Sequence, residues 1–285
     1  MIYAMTCADN NYKPVAEFQL KTAIQTGKVD KTLFFCLDEM DEEFKEKNKK
    51  ILSAGGERRK GCYLWKSYFI HKAISQIQYG DYLIYLDAAG NYYRSKVSET
   101  VSFLEKHHIE MVGSRNGRYR EKDWTKRDVF IALDCDAPQY AEQFQCYAGF
   151  LMLKKTKRTV EFIEKWFTYC QNYNLITDCP NIMGKDNYEG FSEHRFDQSI
   201  LSLLMAKEQI NIIEELPIPR FFMYHHSMNL SVKDIKRMKR AVIWECIKKH
   251  DLYWISFRLK ERRDESLWYQ RFHQKQLYSR KWKNK

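Results

Sequence analysis

Along most of this chain, hydrophobic residues fall in short uncharged runs separated by segments with helical spacing. Ile2–Ala8, Thr32–Leu37 and Tyr82–Leu86 carry no charge, which suits strands buried on both faces. Between the first two, residues 14–26 place Val15, Phe18, Leu20 and Ile24 at helical spacing after the turn chemistry of Asp9–Pro14. A polar, charge-rich helix is predicted from Asp41 to about Leu52, then a basic loop over Gly55–Gly61, then a helix over Leu64–Ile77. This β-α-β-α-β alternation predicts an α/β fold, with a Rossmann-like, mostly parallel sheet flanked by helices.

The second half is less regular. Val97–His107 reads as a helix and Ile109–Gly113 as a short strand. Ser114–Lys122 is polar and basic, the composition of a mobile loop, and Asp128–Leu133 suits a short helix. Cys146–Leu153 reads as a strand and Thr156–Asn172 as a helix. Thr177–Ser192 concentrates turn residues and is a candidate lid or acceptor loop. Arg195–Lys207 is expected to be an amphipathic helix and Asn211–Ile218 a last strand. Neither an internal repeat nor a low-complexity linker interrupts residues 1–230, so one domain is expected there.

Charge separates the remainder. The net charge is +11, and residues 231–285 hold 17 basic against 6 acidic side chains, so the body is neutral and the C-terminal segment carries the whole excess. Trp244, Trp254, Trp268 and Trp282 interleave with its lysines and arginines. Three readings stand: a helical appendage, a surface for anionic membranes, or a nucleic-acid contact. The eight cysteines show no CxxC pair, the chain starts directly on a strand, and no uncharged stretch reaches bilayer length. A cytosolic protein with reduced thiols is expected.

Candidate chemistry lies at the ends of these elements. The Tyr82–Leu86 run stops at Asp87, followed by Ala88, Ala89 and Gly90; strand ends of this kind deliver ligand-binding groups in open α/β sheets. Arg58, Arg59 and Lys60 in the basic loop, with Lys66 beyond it, are cations of the kind a diphosphate needs, although solvated loop residues look the same. Trp124 to Asp128 again places basic groups and a carboxylate beside an aromatic ring. Glu193, His194, Arg195, Asp197 and Gln198 directly precede an apolar helix, where Asp197 also suits a first-turn role on the helix dipole. His225 and His226 form a candidate metal pair, of which one residue can face a given site if they lie on a strand.

Taken in order, Cys62-Tyr-Leu-Trp-Lys66, the Asp81–Gly90 strand, Trp124-Thr-Lys-Arg-Asp128, Tyr147-Ala-Gly-Phe150 and Glu193-His-Arg-Phe-Asp-Gln-Ser199 resemble the motif set of bacterial and viral surface-polysaccharide glycosyltransferases of the GT-A type. The resemblance spans roughly residues 1–228. It implies a transferase that takes a sugar from a nucleotide-sugar donor, UDP-linked by expectation, to a saccharide or lipid-linked saccharide. On this resemblance Thr6, Cys7, Ala8, Asp9 and Tyr12 receive the base and ribose. Asp87 matches the first carboxylate of a DxD motif holding Mn²⁺ or Mg²⁺, but the third position is Ala89, leaving the metal dependent on water or on His225 or His226. Asp197-Gln198 resembles the pair that glycogenin-like transferases place beneath the sugar, so Asp197 is either the base for the acceptor or a clamp on the donor. Asp128 is the second candidate for the base, and Trp124, Glu193, His194 and Arg195 are expected at the acceptor. Two rivals stand beside this reading. A sugar nucleotidyltransferase would ordinarily show a glycine-rich phosphate loop, and Met1–Pro14 has no glycine. A nucleic-acid-binding protein would act through residues 231–285, with steep salt dependence.

Overall fold

A computed structural model describes residues 1–213, apart from positions 11, 26–27, 89, 91 and 93–96. The basic C-terminal segment, His225, His226, Ala89 and the expected strand beyond Ile213 lie outside the described residues. In chain order the elements are β1 (Ile2–Ala8), α1 (Lys13–Gln25), β2 (Lys31–Cys36), α2 (Glu42–Lys47), α3 (Lys49–Leu52), α4 (Leu64–Gln76), β3 (Tyr82–Leu86) and α5 (Val97–Lys106). They continue with β4 (Met111–Arg120), α6 (Glu121–Trp124), α7 (Arg127–Ala132), α8 (Pro138–Ala141), β5 (Phe144–Lys154), α9 (Lys157–Cys170), α10 (Tyr173–Ile176), α11 (Asp197–Lys207) and β6 (Asn211–Ile213).

The strands form one sheet in the order β2-β1-β3-β5-β4-β6. β1 runs parallel to β2 and β3, and β4 parallel to β6, while β5 runs against both β3 and β4. The expected mostly parallel α/β sheet is the one observed. Strand periodicity divides the core between its two faces. Tyr3, Met5, Cys7, Leu83 and Tyr85 point into a cluster with Phe69, Trp166 and Leu201 of α4, α9 and α11. Their neighbours Ala4, Tyr82, Ile84 and Leu86 point the other way, against Leu20 and Ala23 of α1 and Leu104 of α5.

Two expectations are corrected. Ser114–Lys122 is not a loop: β4 continues to Arg120 by pairing Ser114, Arg115 and Arg120 with β5, across register shifts. Its charged side chains disguised the strand, yet the Arg115 and Arg120 guanidinium groups lie over the Phe144 ring at 4.2 and 4.9 Å. α11 is not amphipathic. Every residue from Asp197 to Met205 is buried, because the helix packs against both β5 and α9, and its serines are absorbed by hydrogen bonds. Ser199 Oγ donates to the Trp124 carbonyl (2.9 Å) and Ser202 Oγ accepts from the Cys146 N–H (2.6 Å). Residues 177–192 hold no helix or strand, as expected of a loop, and the irregular segment runs on to 196 and is tethered. Lys126 Nζ donates to the carbonyls of Asn174 and Cys179 at 2.8 and 2.7 Å, and Arg127 N–H to Asn187 Oδ1 at 2.8 Å.

Candidate active site

Asp87 is the first residue after β3, and two-residue periodicity puts it on the same face as Tyr85. Tyr85 Oη donates to Asp87 Oδ1 at 2.6 Å, and Tyr147 Oη, from β5, to Asp87 Oδ2 at 3.2 Å. Both phenols are held well above their ordinary pKa, first by burial and then by the Asp87 charge, so they remain donors. The Asp87 N–H donates to the Gly149 carbonyl at 2.9 Å, fixing the strand end against β5. Gly149 is required here: a Cβ would lie 2.2 Å from the Tyr147 ring. Without glycine the phenol loses its place beside Asp87.

The first turn of α4 and the first residue of α11 bring the other two charges. Lys66 Nζ lies 3.3 Å from Asp87 Oδ1 and 3.5 Å from Asp197 Oδ2. The rings of Tyr63, Trp65 and Tyr85 surround the ammonium with centroids 5.5–5.9 Å away. Burial works against the Lys66 charge, but Asp197 and then Asp87 outweigh it and hold the ammonium above the usual lysine value. For Asp197 burial wins: its pKa is pushed up to about 6, with Lys66 opposing the shift and Asp87 adding to it. Among the described residues, no hydrogen bond reaches Asp197 Oδ2.

Strained backbone aims both groups. Gly61, Cys62 and Tyr63 have φ of 60, 49 and 60°, a left-handed turn that feeds α4. Phe196, immediately before Asp197, has φ 54° and ψ −123°, a region sparsely populated outside glycine and costing about 1–3 kcal/mol. The Phe196 ring is buried edge-on to Tyr63 and His194, which holds the distorted turn in place. Beneath it, Gln198 accepts from the Ala148 N–H (3.4 Å) and donates to Gln145 Oε1 (2.7 Å). Gln145 in turn donates to the buried carboxylate of Glu121 (3.1 Å), whose pKa burial pushes up to about 7.

A charged rim lies next to this triad. Glu193 joins two arginines, at 2.7 Å from Arg59 Nη2 and 3.0 Å from Arg195 Nη1. Lys60 Nζ is 3.6 Å from Asp9 Oδ2. Arg195 lies over the rings of Tyr119 and Trp124 at 4.7 and 5.6 Å, and Arg59 over Phe196 at 5.3 Å.

The structure thus brings together Lys66, Asp87, Asp197 and Gln198, with Arg59, Glu193, Arg195 and Trp124 beside them. Other candidates are committed elsewhere. Asp128 is buried and its oxygens accept from the N–H groups of Ile182 (2.8 Å) and Met183 (3.1 Å), so it anchors the 177–196 segment. His194 is buried, with Nε2 2.9 Å from the Leu175 carbonyl and Nδ1 facing the Lys126 N–H, and it braces a loop. Burial pushes its pKa down to about 3, so the ring is neutral. Thr6 Oγ1 donates to the Leu86 carbonyl (2.8 Å) and the Cys7 side chain lies in the core. Ala8 is buried, whereas Ala88 and Asp9 are half-buried and Tyr12 is exposed. Arg58 lies in the turn before α4, and nothing is assigned to its side chain. Sequence gives Tyr85 and Tyr147 no site role, although Tyr147 opens the Tyr147-Ala-Gly-Phe150 motif and Tyr85 stands two positions before Asp87 on one strand face.

A divalent cation does not fit the described donors. Both Asp87 oxygens are engaged, the nearest other carboxylate is across an ammonium, and no cluster of three His, Cys, Asp or Glu side chains able to hold a metal occurs among the described residues.

No family model matches the chain, and no curated protein does. Among solved structures it is similar to mouse xyloside xylosyltransferase 1 in its apo form, at 11% identity and TM-score 0.39, over 75% of this chain and 85% of that one. It is also similar to a glycosyltransferase involved in glycosylation of the major capsid of PBCV-1 (10%, TM-score 0.36, 60% and 67%). A third is the apo bifunctional glycosyltransferase WbbM (13%, TM-score 0.37, 76% and 38%).

Proposed function

We propose that this chain is a glycosyltransferase of the nucleotide-sugar-dependent kind. The observation that carries this reading is the convergence of Lys66, Asp87 and Asp197 at the carboxyl ends of β1 and β3, where open α/β sheets bind ligands. The ordered motif set described above supports it independently. In the reaction the sugar C1–O bond to the diphosphate breaks, a bond from the acceptor hydroxyl oxygen to C1 forms, and the acceptor proton passes to a carboxylate. Asp197 is that carboxylate. It is ionised at neutral pH, nearly dry, and its Oδ2 is without a hydrogen-bond donor among the described residues. Lys66 holds it in place and offsets negative charge gathering on the leaving diphosphate. Gln198, fixed by Gln145, positions the turn that presents Asp197.

The donor is a UDP-sugar and the acceptor a saccharide or lipid-linked saccharide on the cytosolic side. The basic, tryptophan-rich residues 231–285 bring the enzyme to an anionic membrane surface. Vesicles containing phosphatidylserine retain the full chain at low salt on this reading; failure to bind removes the membrane from it. The function itself is tested by offering UDP-, GDP-, dTDP- and CMP-sugars singly and measuring release of free nucleotide. One donor is turned over, and Asp197→Asn abolishes the release. No turnover of any donor, with no nucleotide bound, refutes the reading.

A further inference from the structure

We propose that Arg59 and Arg195 form a seat for a phosphate-bearing part of the donor, and that Glu193 occupies this seat until the donor displaces it. This inference rests on the transferase reading. Two guanidinium groups from separate segments, the turn before α4 and the turn before α11, converge on one carboxylate at 2.7 and 3.0 Å. Paired arginines in this geometry match carboxylate and phosphate oxygens equally, and phosphate carries more charge. The two guanidinium groups share the single carboxylate hydrogen-bonded to them, with the Asp178 charge also acting on Arg59, beside a triad that holds two carboxylates against one ammonium. Of the charged clusters at the site, this one suits an anion.

Each arginine is also held without Glu193. Arg59 rests over the buried Phe196 ring, and Arg195 over Tyr119 and Trp124. If the carboxylate swings away, the two donors stay placed, which is what a preorganised receptor needs. The Glu193 side chain is the movable partner: it is one-third exposed and no other hydrogen bond of it is described. The two arginines hold its carboxyl below the usual range against the cost of burial, so at neutral pH the seat is charged and closed.

The test compares wild type, Glu193→Gln, Glu193→Asp and Arg59→Ala by calorimetric titration with UDP, GDP and inorganic pyrophosphate at low salt. Removing the competing carboxylate is expected to tighten binding of pyrophosphate and of the preferred nucleotide roughly two- to fivefold, the scale of one partly exposed charge pair. Glu193→Asp keeps the charge and stays near wild type, Arg59→Ala loses binding, and the gain in Glu193→Gln shrinks as salt rises. Unchanged or weaker binding in Glu193→Gln, with wild type binding normally, overturns this inference and leaves the transferase reading standing. No binding of any nucleotide by wild type overturns both.

Discussion

Asp197→Asn should make the protein inactive and more stable at neutral pH, because the wild-type charge is held in a buried place. Burial raises the Asp197 pKa from 3.8 to about 6. A shift of about 2 units corresponds to roughly 3 kcal/mol of preference for the neutral form in the folded state. The folded protein therefore binds a proton more readily than the unfolded chain between pH 4 and 6, and its stability falls as pH rises through that window. Above it, the wild type carries the whole cost of an ionised Asp197, net of attraction to Lys66. Asparagine has the same shape without the charge, and Lys66 keeps Asp87 at 3.3 Å. The variant is expected to gain about 1–3 kcal/mol at pH 7.5 and close to nothing at pH 4. Urea unfolding of both proteins at the two pH values measures the difference, in which contributions from groups not coupled to Asp197 cancel. A variant less stable than wild type at pH 7.5, or a gap of equal size at both pH values, would refute the reasoning. Nucleotide release measured on the same samples links the gain to lost function.

Other expectations follow from the same contacts. Gly149→Ala forces a Cβ into the Tyr147 ring and should cost about 1–3 kcal/mol; if the clash is the cause, adding Tyr147→Ala makes the substitution nearly neutral in a double-mutant cycle. His194→Gln should flatten acid destabilisation. His194 titrates at about 3 in the fold against 6.5 unfolded, so it withdraws stability as pH falls below 6.5, and a pH series of melting temperatures would show whether the variant has lost this slope. Nucleotide-induced thermal stabilisation should persist in EDTA, since the Asp87 oxygens are bound by phenols; a shift seen only with Mn²⁺ would return a metal to the site. Asp128→Asn should lower the melting temperature by loosening residues 182–183, and it should spare donor binding, which a calorimetric titration checks.

Much of this fold was legible in the chain. The uncharged runs at Ile2–Ala8 and Tyr82–Leu86 became adjacent parallel strands because a run apolar on both faces is stable only between two layers. Asp87, Lys66 and Asp197 stood out because each breaks or borders an apolar element. Local pattern failed where a polar sequence is stabilised by distant partners. β4 hid its strand behind arginines that need Phe144, α11 hid its burial from Asp197 to Met205 behind serines that need Trp124 and Cys146, and Asp128 gave no sign of partners that lie 54 and 55 residues away. The sequence by itself determined which segments are apolar and how often, hence the strands, the helices and the candidate charges. Only the tertiary structure decided which charges meet, because side chains 21 and 131 residues apart, on helices entered through strained turns, are neighbours only after the sheet has formed.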